Sequence, residues 1–359
     1  MNKRLSHIDL LETIAIFFVI MYHCHIFEVD FTNGGTGIDH FLYFSKTILS
    51  TCVPLFFFVN GYLLFNRPFN LKKHIHKMIR LIVQMIVWML ILMSLYLIIA
   101  GEPLSVKTVL LNVLNMSTEW SVNVFWFVGQ LICIYILFPA LKALFDRDKT
   151  AFGFFVIVCA LMTFGIVLGN EILAFSVLIH HKNLSLNFPF ITMLNPFRGS
   201  YGYSFVYFCV GGLIFTYEDR IRAFPVKHRN IISVLGMIIS CSLLYVVGVF
   251  YSTVYGNELW DIIWNGYDTV FTFANVIFIY LLSLNLKKEH RVFRNVSVNT
   301  LGIFYIHYLI IRLTRPLILE RPVLCNLPFN IVYGVGILLV SLVFCLGVKR
   351  IPGVRKGIC

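Results

Sequence analysis

The stretch Asp9–His25, DLLETIAIFFVIMYHCH, decides what kind of protein this is. Its middle is almost wholly apolar, yet two acids open it and two histidines close it. The rest of the chain shows what that means. Of the 359 residues 59% are hydrophobic and 13% charged, against about 25% charged in a soluble domain. Mean hydropathy is +0.84, and apolar runs near the ~20 residues that cross a bilayer recur from end to end. Asp9–His25 is the first such run. The expected fold is all-α: a polytopic integral membrane bundle of about ten transmembrane helices.

Working outward, the runs fall at roughly 10–27, 45–65, 79–100, 124–144, 152–170, 201–217, 230–252, 266–285, 299–314 and 329–348. Breakers such as Asn66-Arg67-Pro68, Gly101-Glu102-Pro103 and Asn195-Pro196 separate them. Residues 105–116 place Val106, Val109, Leu110, Val113 and Leu114 at helical spacing, a short helix expected along the outer interface. The apolar patch Ile172–Ile179 is too short to span. With the N-terminus inside, 22 of the 29 Lys and Arg fall in cytoplasmic segments, as the positive-inside rule requires. Both termini are then cytoplasmic, and the chain is expected in the cell membrane as one membrane domain, 1–359, with no fused soluble domain.

That topology also accounts for the net charge of +12. The bases lie in short loops that face anionic lipid, so membrane lipid, not nucleic acid, is the expected polyanionic partner. The first apolar run lacks a small-residue cleavage site and reads as a retained span rather than a signal peptide. Nine scattered cysteines without a CxxC pair indicate neither a metal site nor a disulfide framework.

An α-helix turns about 100° per residue. Glu12 and His23, eleven apart, therefore share one face within about 20° and stand roughly 16 Å apart along the axis. Asp9 joins the stripe, and His25 points elsewhere. Ionisable groups in a membrane helix normally face the bundle interior and are functional candidates. Neutral imidazole is the cheapest base to hold there. The plain alternative is that Asp9 and Glu12 cap the helix N-terminus, where the dipole favours anions, and that His23 only packs.

Four motifs in register resemble the membrane acyltransferase type 3 family. They are Asp9-Leu10-Leu11 through Ala15, Val19, Tyr22 and His23; Val53-Pro54-Leu55-Phe56-Phe57-Phe58-Val59-Asn60-Gly61-Tyr62-Leu63-Leu64; Trp126-Phe127 with Tyr135 and Pro139; and Leu301-Gly302-Ile303-Phe304-Tyr305-Ile306-His307. The sequence departs from the family pattern at three places. Glu12 stands where a basic residue is usual, Asn60 replaces Ser, and Lys77-Met78-Ile79-Arg80 replaces a pair of arginines.

The resemblance implies a reaction: transfer of an acyl group, commonly acetyl, from cytoplasmic acetyl-CoA to a hydroxyl of a cell-surface glycan or envelope molecule, with no metal. His23 becomes the candidate general base, with Asp9, Glu12 and His307 as further catalytic candidates. Lys73, Lys77 and Arg80, at i, i+4 and i+3 spacing on one face, are candidates for the phosphates of CoA. The same bases also serve topology. Asn60 and Gly61 are candidates for the thioester or pantetheine arm, or for a helix contact. Trp126 and Tyr135 are candidates for the acceptor, although an aromatic belt accounts for tryptophan equally well. Partners implied are the glycan acceptor and a separate extracytoplasmic transferase or polysaccharide synthesis machinery. A transporter or flippase of a glycan or lipid-linked intermediate stays open, although no paired repeats are visible; so does an assembly subunit. Asp261 and Asp268, near the outer end of the eighth run, have no role that the sequence assigns.

Overall fold

The computed structural model describes residues 5–24, 35–115, 119–169, 171–172, 202–255 and 266–350. His25, Asp261 and most of the 171–200 segment lie outside them. The described chain is helical throughout. Among the described residues, eight helices are long and apolar enough to cross a membrane: Ser6–His23, Gly37–Phe65, Leu71–Ala100, Phe125–Arg147, Lys149–Gly169, Val226–Phe250, Arg291–Leu319 and Leu327–Val348. The sixth and eighth expected runs are the shorter apolar helices Gly202–Thr216 and Val270–Ser283.

The helices are, in order, α1 (Ser6–His23), α2 (Gly37–Thr47), α3 (Cys52–Phe65), α4 (Leu71–Ala100), α5 (Val106–Asn115), α6 (Glu119–Arg147), α7 (Lys149–Ala160), α8 (Gly202–Thr216), α9 (Glu218–Ala223), α10 (Val226–Tyr255), α11 (Val270–Ser283), α12 (Arg291–Leu319) and α13 (Leu327–Val348). A 3-10 turn, Ile48–Thr51, joins α2 to α3, and α7 continues through a π-turn, Leu161–Gly165. Local chemistry sets the ends. Asn70 accepts the Lys73 N–H at the start of α4, Asp148 caps α7, Thr269 caps α11 and Asn326 caps α13. Each side chain satisfies an amide that has no partner within its helix. Gly101, at φ +69°, closes α4 in the left-handed conformation that glycine adopts without strain.

The chain forms two compact units, 1–67 with 144–297, and 68–143 with 298–359. In the first, α3 and α8 touch backbone to backbone. A Cβ on Gly61 would lie 1.7 Å from the Phe208 carbonyl oxygen, and one on Gly211 would lie 2.0 Å from that of Phe58. Small residues allow this approach where lipid supplies no hydrophobic drive. Phe65 packs on Phe145, Phe152 and Phe208 with ring centroids 4.9–5.4 Å apart. In the second unit the ring of Trp88 stacks on Tyr305, 5.5 Å away and 16° from parallel. Elsewhere on the surface, large apolar side chains such as Ile231, Ile232, Leu235, Ile238 and Ile239 on α10 stay exposed. In a bilayer they face lipid rather than water.

Candidate functional site

α1 is continuous from Ser6 to His23, so the stripe inferred from the sequence has two ends about 16 Å apart. At one end lies a cavity of about 880 Å³ lined by Asp9 and Glu12 from α1, Tyr62 and Asn66 from the end of α3, then Arg67 and Ser297. Asp9 is buried. The Ser297 hydroxyl donates a short hydrogen bond to the Glu12 carboxylate, and the Thr13 hydroxyl donates to the Asp9 carbonyl, 2.8 Å. Asp9 and Glu12 therefore share one cavity, which also holds the opposite charge of Arg67.

Behind the cavity wall is a polar cluster that sequence reasoning missed. Arg222 donates from Nε to Glu218 Oε1, 2.6 Å, and from Nη2 to His7 Nδ1, 3.2 Å. A guanidinium only donates, so His7 Nδ1 is the acceptor and Nε2 carries the proton. His7 Nε2 then donates to the Tyr62 hydroxyl, 3.3 Å, and Tyr62 donates a short bond to Glu218. Tyr280 adds a bond to the same carboxylate, 3.2 Å. The ring closes through Arg222 and joins α1, α3, α9 and α11. Burial pushes the Glu218 carboxyl up. The hydrogen bonds from Tyr62 and Arg222 and the nearby charges outweigh it, and the group is held below its usual range. Two signals were readable: Glu218 and Arg222 at i, i+4, and Tyr62 inside the Asn60–Leu64 motif.

The other end of α1 carries His23, half-buried with its ring edge-on to Tyr22, 5.7 Å. Tyr22 leads into a tyrosine group: Tyr267 lies 6.3 Å away and Tyr203 a further 5.5 Å. The Tyr207 hydroxyl donates to the Tyr267 carbonyl, 3.0 Å. Two carboxyls flank this group, Asp268 just ahead of α11 and Glu171 beyond the helix Lys149–Gly169. Burial, then the like charge of Asp268, pushes Glu171 up to about 7. Burial pushes Asp268 up to about 6 against a backbone hydrogen bond.

The remaining candidates fall as follows. Lys73, Lys77 and Arg80 line a cavity of about 500 Å³ with Lys72 and His76. Lys77 Nζ donates to the Tyr135 hydroxyl, 2.9 Å, and lies 4.9 Å from the centre of that ring. Tyr135, expected with Trp126 on the acceptor, is thus joined to the basic cluster. Trp126 is half-buried with its ring edge-on to Phe127. A cavity of four cations and a histidine suits a phosphate group. Asn60 Nδ2 donates to the Phe56 carbonyl, 2.9 Å. The close approach that Gly61 permits is taken up by Phe208. His307 is fully buried, and its Nδ1 bonds the Ile303 carbonyl one turn back, 3.2 Å. It belongs to the second unit, Asp9, Glu12 and His23 to the first.

No curated protein and no solved structure gave a significant match to the chain. A family model described as an acyltransferase domain matches residues 5–349, running through all four motifs. The chain, a multi-pass membrane protein by its helices, belongs to the type 3 acyltransferase family.

Proposed function

We propose that the protein is an integral membrane O-acyltransferase that moves an acetyl group from cytoplasmic acetyl-CoA to a hydroxyl of an extracytoplasmic glycan, with His23 as general base and both termini in the cytoplasm. The family match supports the reaction class. The observation that carries the rest is α1 itself, one unbroken helix with a charged cavity at one end and an imidazole beside clustered tyrosines at the other. A hydroxyl is a poor nucleophile until a base takes its proton. In this reading His23 takes that proton while the oxygen attacks the thioester carbonyl. The carbon–sulfur bond then breaks and the thiol leaves protonated. Lys73, Lys77 and Arg80 hold the donor's phosphates, and the half-buried Trp126 offers a ring face to a sugar. Glu12, fixed by Ser297, shapes the cavity in place of the family's usual base.

Purified protein in vesicles, given labelled acetyl-CoA and envelope glycan, should release CoA and label the glycan. His23→Ala should slow both by about 10²–10⁴-fold while leaving the unfolding midpoint unchanged. Glycan crossing the membrane with no thioester turnover would replace this reading with a transporter.

A further inference from the structure

At the start of α10 there is a cavity of about 330 Å³, separate from the one that Asp9 and Glu12 line. Its walls are Arg220, Ile221 and Phe224 from α9 and the turn after it, Arg229 and Ile232 from α10, and Leu281 from α11. Two cations and four apolar side chains make the lining, and none of these residues is acidic.

Arg229 is the unusual member. It is only 5% exposed. Its Nη2 donates to Asn285 Oδ1, 2.8 Å, and Asn285 is itself oriented by donating to Asn230, 2.8 Å. Yet Nε of Arg229 is buried without a hydrogen-bond partner. A buried N–H of a charged group left unsatisfied is expensive, so such a group normally meets an acceptor. The guanidinium is always charged, and a charge-assisted bond to an anion is the stronger way to satisfy it. Arg220 is exposed at the rim, with its guanidinium 5.9 Å from the Tyr217 ring. It can add a second donor from the opposite wall.

The lining also says what lies below the anion. Ile232 is half exposed and belongs to the stripe Ile231, Ile232, Leu235, Ile238 and Ile239, which runs along α10. An acceptor seated between the arginines would continue into apolar surface already facing lipid tails. The volume, at the small end of ligand sites, accommodates a head-group phosphate.

We propose that this groove is a binding site for one anionic phospholipid, its phosphate between Arg220 and Arg229 and an acyl chain along Ile232 toward Leu235. Basic pockets between transmembrane helices recognise acidic lipids in this manner. The site is independent of the acyl-transfer reading.

The test uses the full chain, delipidated in a neutral detergent, with the unfolding midpoint as readout. Dioctanoyl phosphatidylglycerol should raise the midpoint by several degrees and saturate, and dioctanoyl phosphatidylcholine should not. Inorganic phosphate at the same concentration should have no effect. Arg220→Gln, at the exposed rim, should weaken the phosphatidylglycerol effect about tenfold. Ile232→Trp, which fills the groove beside the lipid chains, should do the same and keep the proposal testable if Arg229→Gln fails to fold. Equal response to the two lipids would overturn the site. So would an equal response to inorganic phosphate, or both variants titrating like the parent. Displacement of phosphatidylglycerol by adenosine 3′,5′-bisphosphate would assign the groove to a nucleotide instead and end the lipid proposal.

Discussion

At the scale of single residues, the group to test is His23, the proposed general base. Its position on the α1 stripe was legible because helical geometry carries Glu12 and His23 to one face whatever surrounds them. Replacement by Ala should lower turnover by about 10²–10⁴-fold, the range of a positioned general base, with the donor KM little changed; an unaltered kcat would sink the assignment. The tyrosines beside it were not legible, since Tyr22, Tyr203 and Tyr267 come from three distant segments that only the fold brings together. Glu171 gives a separate prediction about pH. Its ordinary value is 4.5, and burial with Asp268 pushes it up to about 7. Between those values the native state holds a proton that the unfolded chain has lost, so stability falls as pH rises. Glu171→Gln removes that loss. Parent and variant should unfold alike below about pH 4.5 and diverge up to about pH 7, with the variant ahead by roughly 3 kcal/mol above it. Parallel profiles across that range would show that the carboxyl is not buried as described.

At the scale of elements, sequence periodicity located the helices well, including the short one at Val106–Asn115, because lipid forces backbone hydrogen bonds inside each segment. It read helix partners poorly. Gly61 was a candidate for a ligand's approach or for a helix contact, and the structure places the Phe208 backbone against it. Gly61→Ala would drive a methyl into the Phe208 backbone and should destabilise the first unit by about 3 kcal/mol, the upper end of the usual cost of overpacking. Gly336→Ala in α13, where a Cβ meets open space, should be neutral or stabilising by up to about 1 kcal/mol. Equal midpoints for the two variants would refute the contact. The His7–Tyr62–Glu218–Arg222 ring shows the same limit: i, i+4 spacing revealed one ion pair, while the partners on α1 and α3 lie 156 or more residues away in sequence. Tyr62→Phe removes the hydroxyl that joins His7 to Glu218, leaving the path through Arg222, and should lower stability by about 1.5–3 kcal/mol, as for a hydrogen bond to a charged group. Thermal unfolding of the purified variant measures it.

At the scale of the whole molecule, composition alone identified a membrane protein, and charge distribution gave an orientation that fusion reporters can check. A fluorescent reporter after Val348 should light up, and a periplasm-dependent phosphatase at the same site should stay silent; the reverse would invert the topology. The Lys72–Arg80 cluster then faces the cytoplasm. Replacing Lys77 and Arg80 together by Gln should raise the donor KM about tenfold or more while leaving kcat within a few-fold, as the loss of phosphate contacts would. Sequence could assign those bases to topology or to phosphate equally well, because both uses place cations on the same side.

The meeting of α3 and α8 at Gly61 and Gly211 also constrains motion. Helices seated carbonyl against Cα have no side-chain cushion between them to slide over. They travel as one rigid strut. Any gate that opens in the first unit during turnover must therefore hinge where long side chains meet, as α1 and α11 do, and leave that strut unmoved.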